Sequence, residues 1–150
     1  MGASAAIIQE QSVQPSLLGK ASVLLLEDNE FQRVALVQAL RSLGVGTVVE
    51  AACVEDAISR VAERAGGFDV CLCDLQLGDE EGVTFLRHAG MNAARSFVFI
   101  SALDMTDLLV ARRRALEHGS RVAGVLAKPV RRPDLQAMLE KAVREAERLR

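Results

Sequence analysis

The run Val70-Cys71-Leu72-Cys73 is apolar throughout and stands between Asp69 and Asp74. A strand without polar alternation is one buried on both faces, which requires a parallel sheet with helices laid over each side. The rest of the chain repeats the device. Compact apolar strands are predicted at 22–26 (SVLLL), 47–50, 70–73, 96–100 (SFVFI) and 122–126, and each closes on polar or small residues. Helical patterns lie between them. The first is capped by Asn29 or Asp28, carries Phe31, Val34, Leu36, Val37, Leu40 and Leu43 at helical spacing, and stops at Gly44. A second, over 54–65, repeats Val54, Ala57, Ile58, Val61, Ala62 and Ala65 and ends at Gly66-Gly67. A polar loop, 76–81, leads through Gly82 to a short helix at 83–89, and a fourth helix is read at 107–117, before Gly119. The last starts near Arg132-Pro133, with proline suited to a first turn, and runs through Leu135, Met138, Leu139, Ala142, Val143, Ala146 and Leu149. Five strands alternating with five helices predict an α/β fold with a parallel sheet covered on both sides.

A chain of 150 residues, half of them hydrophobic and a quarter charged, is of a size and composition to fold as one domain around a substantial core. Residues 1–19 lack periodicity and read as a flexible lead-in, 20–143 as the folded domain, and 144–150 as a helical extension. A net charge of −2 gives no general attraction to nucleic acid or anionic membrane, and the absence of Trp and Tyr removes the usual stacking platforms for bases. No apolar run approaches a membrane span, and no basic-then-apolar leader opens the chain, so a cytoplasmic protein is expected. Cys53, Cys71 and Cys73 lack paired zinc-site spacing and read as small buried hydrophobes in a reducing compartment.

The polar residues at the strand ends are of complementary kinds. Glu27-Asp28 follow the first strand, Asp74 the third, Ser101 the fourth and Lys128 the fifth. Right-handed crossovers bring all of these ends to one edge of the sheet, where open α/β sheets place their ligands. Three clustered carboxylates repel one another and favour a divalent cation, and oxygen-only ligands suit Mg²⁺ over zinc. Such an ion together with Lys128 can stabilise a phosphoryl group moving onto Asp74, and a hydroxyl at Ser101 can then bond a phosphate oxygen and draw a loop with it.

With LLLEDN, then DLQLGDEEG with Gly82 eight positions after Asp74, then FISA, then AKP, the chain resembles the CheY-like receiver domains of bacterial response regulators over roughly 21–143. The resemblance implies a doubly wound (βα)5, flavodoxin-like three-layer sandwich with sheet order 2-1-3-4-5. It implies that Asp74 accepts a phosphoryl group from a histidine kinase or histidine phosphotransfer protein. Asp28 would ligate Mg²⁺ directly, Glu27 would be the adjacent acidic residue, and the main-chain carbonyl of Gln76 would complete the protein's share of the ligands. Ser101 would be the switch hydroxyl and Lys128 the phosphate-binding lysine, followed by a cis bond to Pro129. Arg33 stands where the family often has a basic residue. Val125 stands where the family usually has its switch aromatic and Gly78 where it commonly has proline, while Gln76 and Leu103 occupy positions that modulate dephosphorylation. LEDNEFQR and DLQ…GVTFLRHAG resemble, more narrowly, receivers that precede EAL-type cyclic-di-GMP phosphodiesterase domains.

On this reading the segment turns over no separate substrate. Its partners would be the phosphodonor, an output domain or protein contacted through the fourth and fifth helices, and a second copy as a candidate partner for the protruding last helix. The 144–150 extension would then be a linker to an output domain. Three other readings compete. A phosphatase of the haloacid-dehalogenase type expects a DxD motif after the first strand, where Glu27-Asp28-Asn29 stands. A nucleotide- or flavin-binding module expects a Gly- or Ser/Thr-rich loop there. A phosphorylation-silent adaptor has no need of Asp28, Asp74, Ser101 and Lys128. His88, His118 and Arg112-Arg113-Arg114 read as solvated helix residues, the arginines being a candidate partner contact, and Asp79, Glu80 and Glu81 as complements to a helix N-terminus.

Overall fold

A computed structural model of the chain describes residues 16–77, 80, 81, 85, 92–102, 109, 113, 116, 117 and 121–149. Five parallel strands, β1 (Ser22–Leu26), β2 (Thr47–Ala51), β3 (Phe68–Asp74), β4 (Ala94–Ser101) and β5 (Val122–Ala127), form one sheet. Its order is β2-β1-β3-β4-β5, the doubly wound order expected. Every residue of β1 and β3 is buried, as their unbroken apolar runs require.

The strands divide two cores between the faces of the sheet. Val23, Leu25, Val70, Leu72, Val98 and Ile100 meet Leu36, Val37 and Leu40 of helix α1 (Glu30–Ser42) and Leu135, Leu139, Ala142 and Val143 of the C-terminal helix (Arg132–Glu147). On the other face Leu24, Leu26, Cys71, Cys73, Phe97 and Phe99 pack against Val54 and Ala57 of helix α2 (Val54–Ala62) and against Phe85, which is helical. Cys71 and Cys73 are therefore core residues. Cys53 is not: it is exposed, and its Sγ accepts from the Asp56 N–H as the N-cap of α2.

Local chemistry sets the ends of α1. Asn29 is its N-cap, its Oδ1 accepting from Gln32 N at 2.9 Å. At the other end Gly44 has φ +86°, with Val45 N–H bonding Leu40 O and Gly44 N–H bonding Arg41 O, a Schellman closure. Phe31 and Val34 belong to the apolar pattern of α1 but not to the core, being 85% and 47% exposed. At about 100° per residue, the nine positions from Phe31 to Leu40 put the two on opposite sides of the helix. Helix α2 ends at Ala62, earlier than Ala65, because the chain must turn sharply into β3. Gly67 makes that turn with φ +68°, where an added Cβ would meet the Asn92 carbonyl oxygen.

Three further departures from the expected layout stand out. Within the lead-in expected over 1–19, Leu17–Lys20 forms a 3-10 turn capped by Ser16, because Leu18 is buried beneath it. Within the loop expected at 76–81, Gln76–Leu77 pairs antiparallel with Glu80–Glu81. The C-terminal helix runs on through position 143 as expected, but where the extension was expected to protrude Ala146 is buried. Residues 109, 113, 116 and 117 are helical, and Arg113 is an exposed partner of Glu117 at 3.6 Å. The remainder of the helices expected at 83–89 and 107–117, together with Gly78, Asp79, Gly82, His88, Leu103, Arg112, Arg114 and His118, lies outside the described residues, as do 1–15. Among the described residues no helix is long and apolar enough to cross a membrane.

Candidate functional site

The carboxyl ends of β1, β3, β4 and β5 meet at one edge of the sheet. Register places Leu26 beside Cys73, Asp74 beside Ile100 and Ser101 beside Ala127, so the residues that follow or close these strands become neighbours. Glu27 extends the ladder of β1 by one bond, its N–H to Ala51 O at 3.1 Å, and Lys128 N–H bonds Ser101 O at 3.0 Å. Glu27, Asp74 and Ser101 are buried, and Asp28 is exposed.

Carboxylate oxygens of Glu27, Asp28 and Asp74 lie within 4.8 Å of one another. Into this cluster reaches one ammonium. Lys128 Nζ donates to Asp74 Oδ2 at 2.6 Å, to Glu27 Oε1 at 3.0 Å and to Gln32 Oε1 at 2.6 Å. Asp74 Oδ1 accepts from Gln76 N at 2.9 Å, which fixes the plane of the carboxylate. Arg33 Nη1 donates to the Glu27 carbonyl at 2.9 Å, while its Nε lies 3.4 Å from Glu50 Oε1, so the basic residue of α1 braces the backbone beneath the cluster. The Lys128–Pro129 bond is cis, as expected.

Among the described residues, one ammonium against three carboxylates leaves an excess of negative charge, and burial adds to its effect on protonation. Burial, reinforced by the neighbouring Asp74 carboxylate, pushes the Glu27 carboxyl up from 4.5 to about 7 against the opposing pull of Lys128. Burial by itself would lower the Lys128 ammonium, but its bonds to Asp74 and Glu27 outweigh that and hold it above its ordinary value. Cys73, buried beside this edge, has its thiol raised by its hydrogen bond with Cys71 and by burial, which keeps it uncharged.

The residue types fit a hard divalent cation. The donors are all oxygen, they converge from two strand ends, and among the described residues Glu27 Oε2 is buried with no hydrogen-bond partner while the carboxyl is ionised. The structure thus brings together Glu27, Asp28, Asp74 and Lys128, and sets Gln76 and Ser101 against them through the main chain. Sequence reasoning missed Gln32. Its signal was the spacing Asn29-x-x-Gln32, that of a capping box, in which the third helical residue folds back over the helix N-terminus. Here its side chain reaches Lys128 instead.

With this fold and site in hand, the class of protein is defined: residues 23–140 match the response regulator receiver domain, and the chain belongs to that family. Among curated relatives it is 38% identical over 81 residues to the cyclic di-GMP phosphodiesterase RocR of Pseudomonas aeruginosa, a match covering 54% of this chain and 20% of that protein. It is 29% identical over 126 residues to the transcriptional regulatory protein ZraR of Salmonella typhimurium, covering 83% of this chain and 27% of that one. The chain thus spans only a fifth to about a quarter of the length of these relatives. Among solved structures, a response regulator receiver domain protein from Clostridium thermocellum superposes with TM-score 0.73 at 18% identity, over 87% of this chain and 99% of that one. The N-terminal domain of a response regulator/sensory box/GGDEF 3-domain protein from Carboxydothermus hydrogenoformans gives TM-score 0.72 at 24% identity, over 85% and 98%. Both show the same fold.

Proposed function

We propose that this receiver is a phosphoacceptor switch of a two-component system, with Asp74 as the accepting residue. The observation that carries the reading is the contact of Lys128 Nζ with both Asp74 and Glu27 inside a three-carboxylate cluster at the carboxyl edge of the sheet. A carboxylate oxygen of Asp74 would attack the phosphorus of a phosphohistidine on a histidine kinase or phosphotransfer protein. The new O–P bond forms as the N–P bond breaks, and the departing imidazole takes up a proton. Lys128 would follow the phosphoryl oxygens with the N–H that now faces Asp74, and Ser101 would donate its hydroxyl to one of them. Glu27, Asp28, Asp74 and the Gln76 carbonyl would hold Mg²⁺, which would supply the neutralisation that lets two anions approach.

Control of an output is the second half of the proposal. The C-terminal helix, packed on β4 and β5, and the helix expected at 107–117 would present the switch to an output domain or partner protein, or to a second copy. Residues 20–143 would be the receiver and 144–150 the start of the connection. Because RocR is named as a cyclic di-GMP phosphodiesterase, an EAL-type output in the same coding sequence is the form we favour. Such a receiver works where its kinase delivers phosphate, in the cytoplasm, and turns over no separate substrate.

Incubation with Mg²⁺ and acetyl phosphate, followed by intact-mass analysis, tests the core of this reading. A single base-labile phosphoryl adduct is expected in the wild type and none in Asp74→Asn. No adduct at high donor concentration, or an equal adduct in the variant, contradicts it.

A further inference from the structure

We infer that Gln32 is a positioning residue for the phosphoryl transfer, acting through Lys128; this rests on the phosphoacceptor reading above. An ammonium has three N–H bonds, and in this structure each has one acceptor drawn from a different element. Glu27 Oε1 comes from the end of β1, Asp74 Oδ2 from the end of β3, and Gln32 Oε1 from the first turn of α1. Two of the three acceptors belong to the acidic cluster. Gln32 approaches from the solvent side and is the neutral one.

The bond to Gln32, at 2.6 Å, is as short as the bond to Asp74. It matters because of where Lys128 stands. Its side chain is 21% exposed, and beside it opens a cavity of about 530 Å³ lined with apolar groups from α1, Ile100 and Leu135. A lysine stem has several low-energy rotamers, and holding one of them costs side-chain entropy. With only the two carboxylates as acceptors, the third N–H would face open space and the ammonium could swing toward it. Gln32 removes that freedom. It fixes the remaining N–H and so aims the other two at the edge where phosphorus must arrive.

The placement of Gln32 is itself locked. Its own backbone N–H is held by the Asn29 cap at 2.9 Å, so the helix start sets where the amide side chain begins. The capping arrangement of α1 is in this way connected to the lysine at the far side of the sheet edge. The side chain of Gln32 reaches the site through Lys128, so its role is positioning and not catalytic.

Phosphorylation by acetyl phosphate with Mg²⁺, followed as initial rates, tests the inference in four proteins: wild type, Gln32→Leu, Lys128→Ala and the double variant. Leucine keeps much of the reach and removes the acceptor at an exposed position, and thermal unfolding confirms that each variant is folded. Loss of one solvent-exposed hydrogen bond, worth about 1 kcal/mol, should slow Gln32→Leu about fivefold. In the Lys128→Ala background the same substitution should change the rate less than about 1.5-fold, because its effect passes through the lysine. A Gln32→Leu rate equal to wild type overturns the inference and leaves the phosphoacceptor reading intact. An equal slowing with and without Lys128 overturns it also, by showing another route. A wild-type protein that takes no phosphoryl group overturns both.

Discussion

Strand β3 carries a buried aspartate at each end, and the two live in opposite circumstances. Asp69 and Asp74 are each 3% exposed. Around Asp69 the accounts balance: Oδ2 accepts from Ser22 N at 2.9 Å and Ser22 Oγ at 3.2 Å, and Oδ1 pairs with Arg95 Nη1 at 3.3 Å. Ser22 Oγ in turn accepts from Asp69 N at 3.0 Å, so the serine closes a loop with the residue it supports. Around Asp74, among the described residues, negative charge is in excess, with Glu27 and Asp28 alongside and a single ammonium between them. Equal burial therefore carries different meanings. A charge whose partners match it ties elements together, whereas one crowded by like charges is poised to receive a cation and a group that changes its charge.

The sharpest way to break this contrast is to remove each carboxylate in turn. Asp74→Asn should abolish phosphoryl uptake altogether while the unfolding midpoint in denaturant holds. Asp69→Ala should do the reverse, keeping phosphoryl uptake but lowering stability by about 3 kcal/mol, since it strands the Ser22 N–H and leaves Arg95 unpaired. Loss of phosphorylation in the Asp69 variant at temperatures where it is folded would undo the distinction.

A second test uses acidity. The Glu27 carboxyl is raised from 4.5 to about 7, chiefly by burial, so the folded protein holds a proton there that the unfolded chain has released. Its contribution to stability is fully present below about 4.5 and is lost as pH rises through about 7. The change should approach 3 kcal/mol, and it is read as the difference between wild type and Glu27→Gln in chelator-treated buffer. A difference that stays flat as pH rises from about 4.5 through about 7 would show that the folded protein holds no such proton on Glu27.

Mg²⁺ should act on one end of the strand only. At ten times its dissociation constant it should stabilise the wild type by about 1.4 kcal/mol, with the gain lost in Asp28→Asn and kept in Asp69→Ala. The smallest effect is expected from Ser22→Ala. It removes one hydroxyl from the Asp69 network and should lower stability by about 1 kcal/mol without touching phosphorylation.

The sequence made the Asp74 end far more legible than the Asp69 end, for a physical reason. A site at the carboxyl edge of a parallel sheet is written in strand ends, and each end is visible as an apolar run stopped by a polar residue. Glu27, Asp28, Asp74, Ser101 and Lys128 could all be placed that way, as could the order of the layers. The Asp69 network depends on register between β1, β3 and β4, which no local pattern encodes. Gln32 was hidden likewise, because its partner lies 96 positions away and its first turn reads only as a cap. The exposure of Phe31 and the 3-10 turn at Leu17–Lys20 escaped for another cause: one is an apolar residue on the side of the helix opposite Leu40, where hydrophobicity alone suggests burial, and the other is too short to show any periodicity.

The central claim is that Asp74, and no other carboxylate in this cluster, receives the phosphoryl group. Treating the Mg²⁺- and acetyl-phosphate-loaded protein with borohydride converts an aspartyl phosphate to homoserine, and peptide mapping then locates it. Homoserine at position 74 alone is the predicted result. Homoserine at position 28 or 69, or none in a protein that carries the added phosphate, would contradict the account.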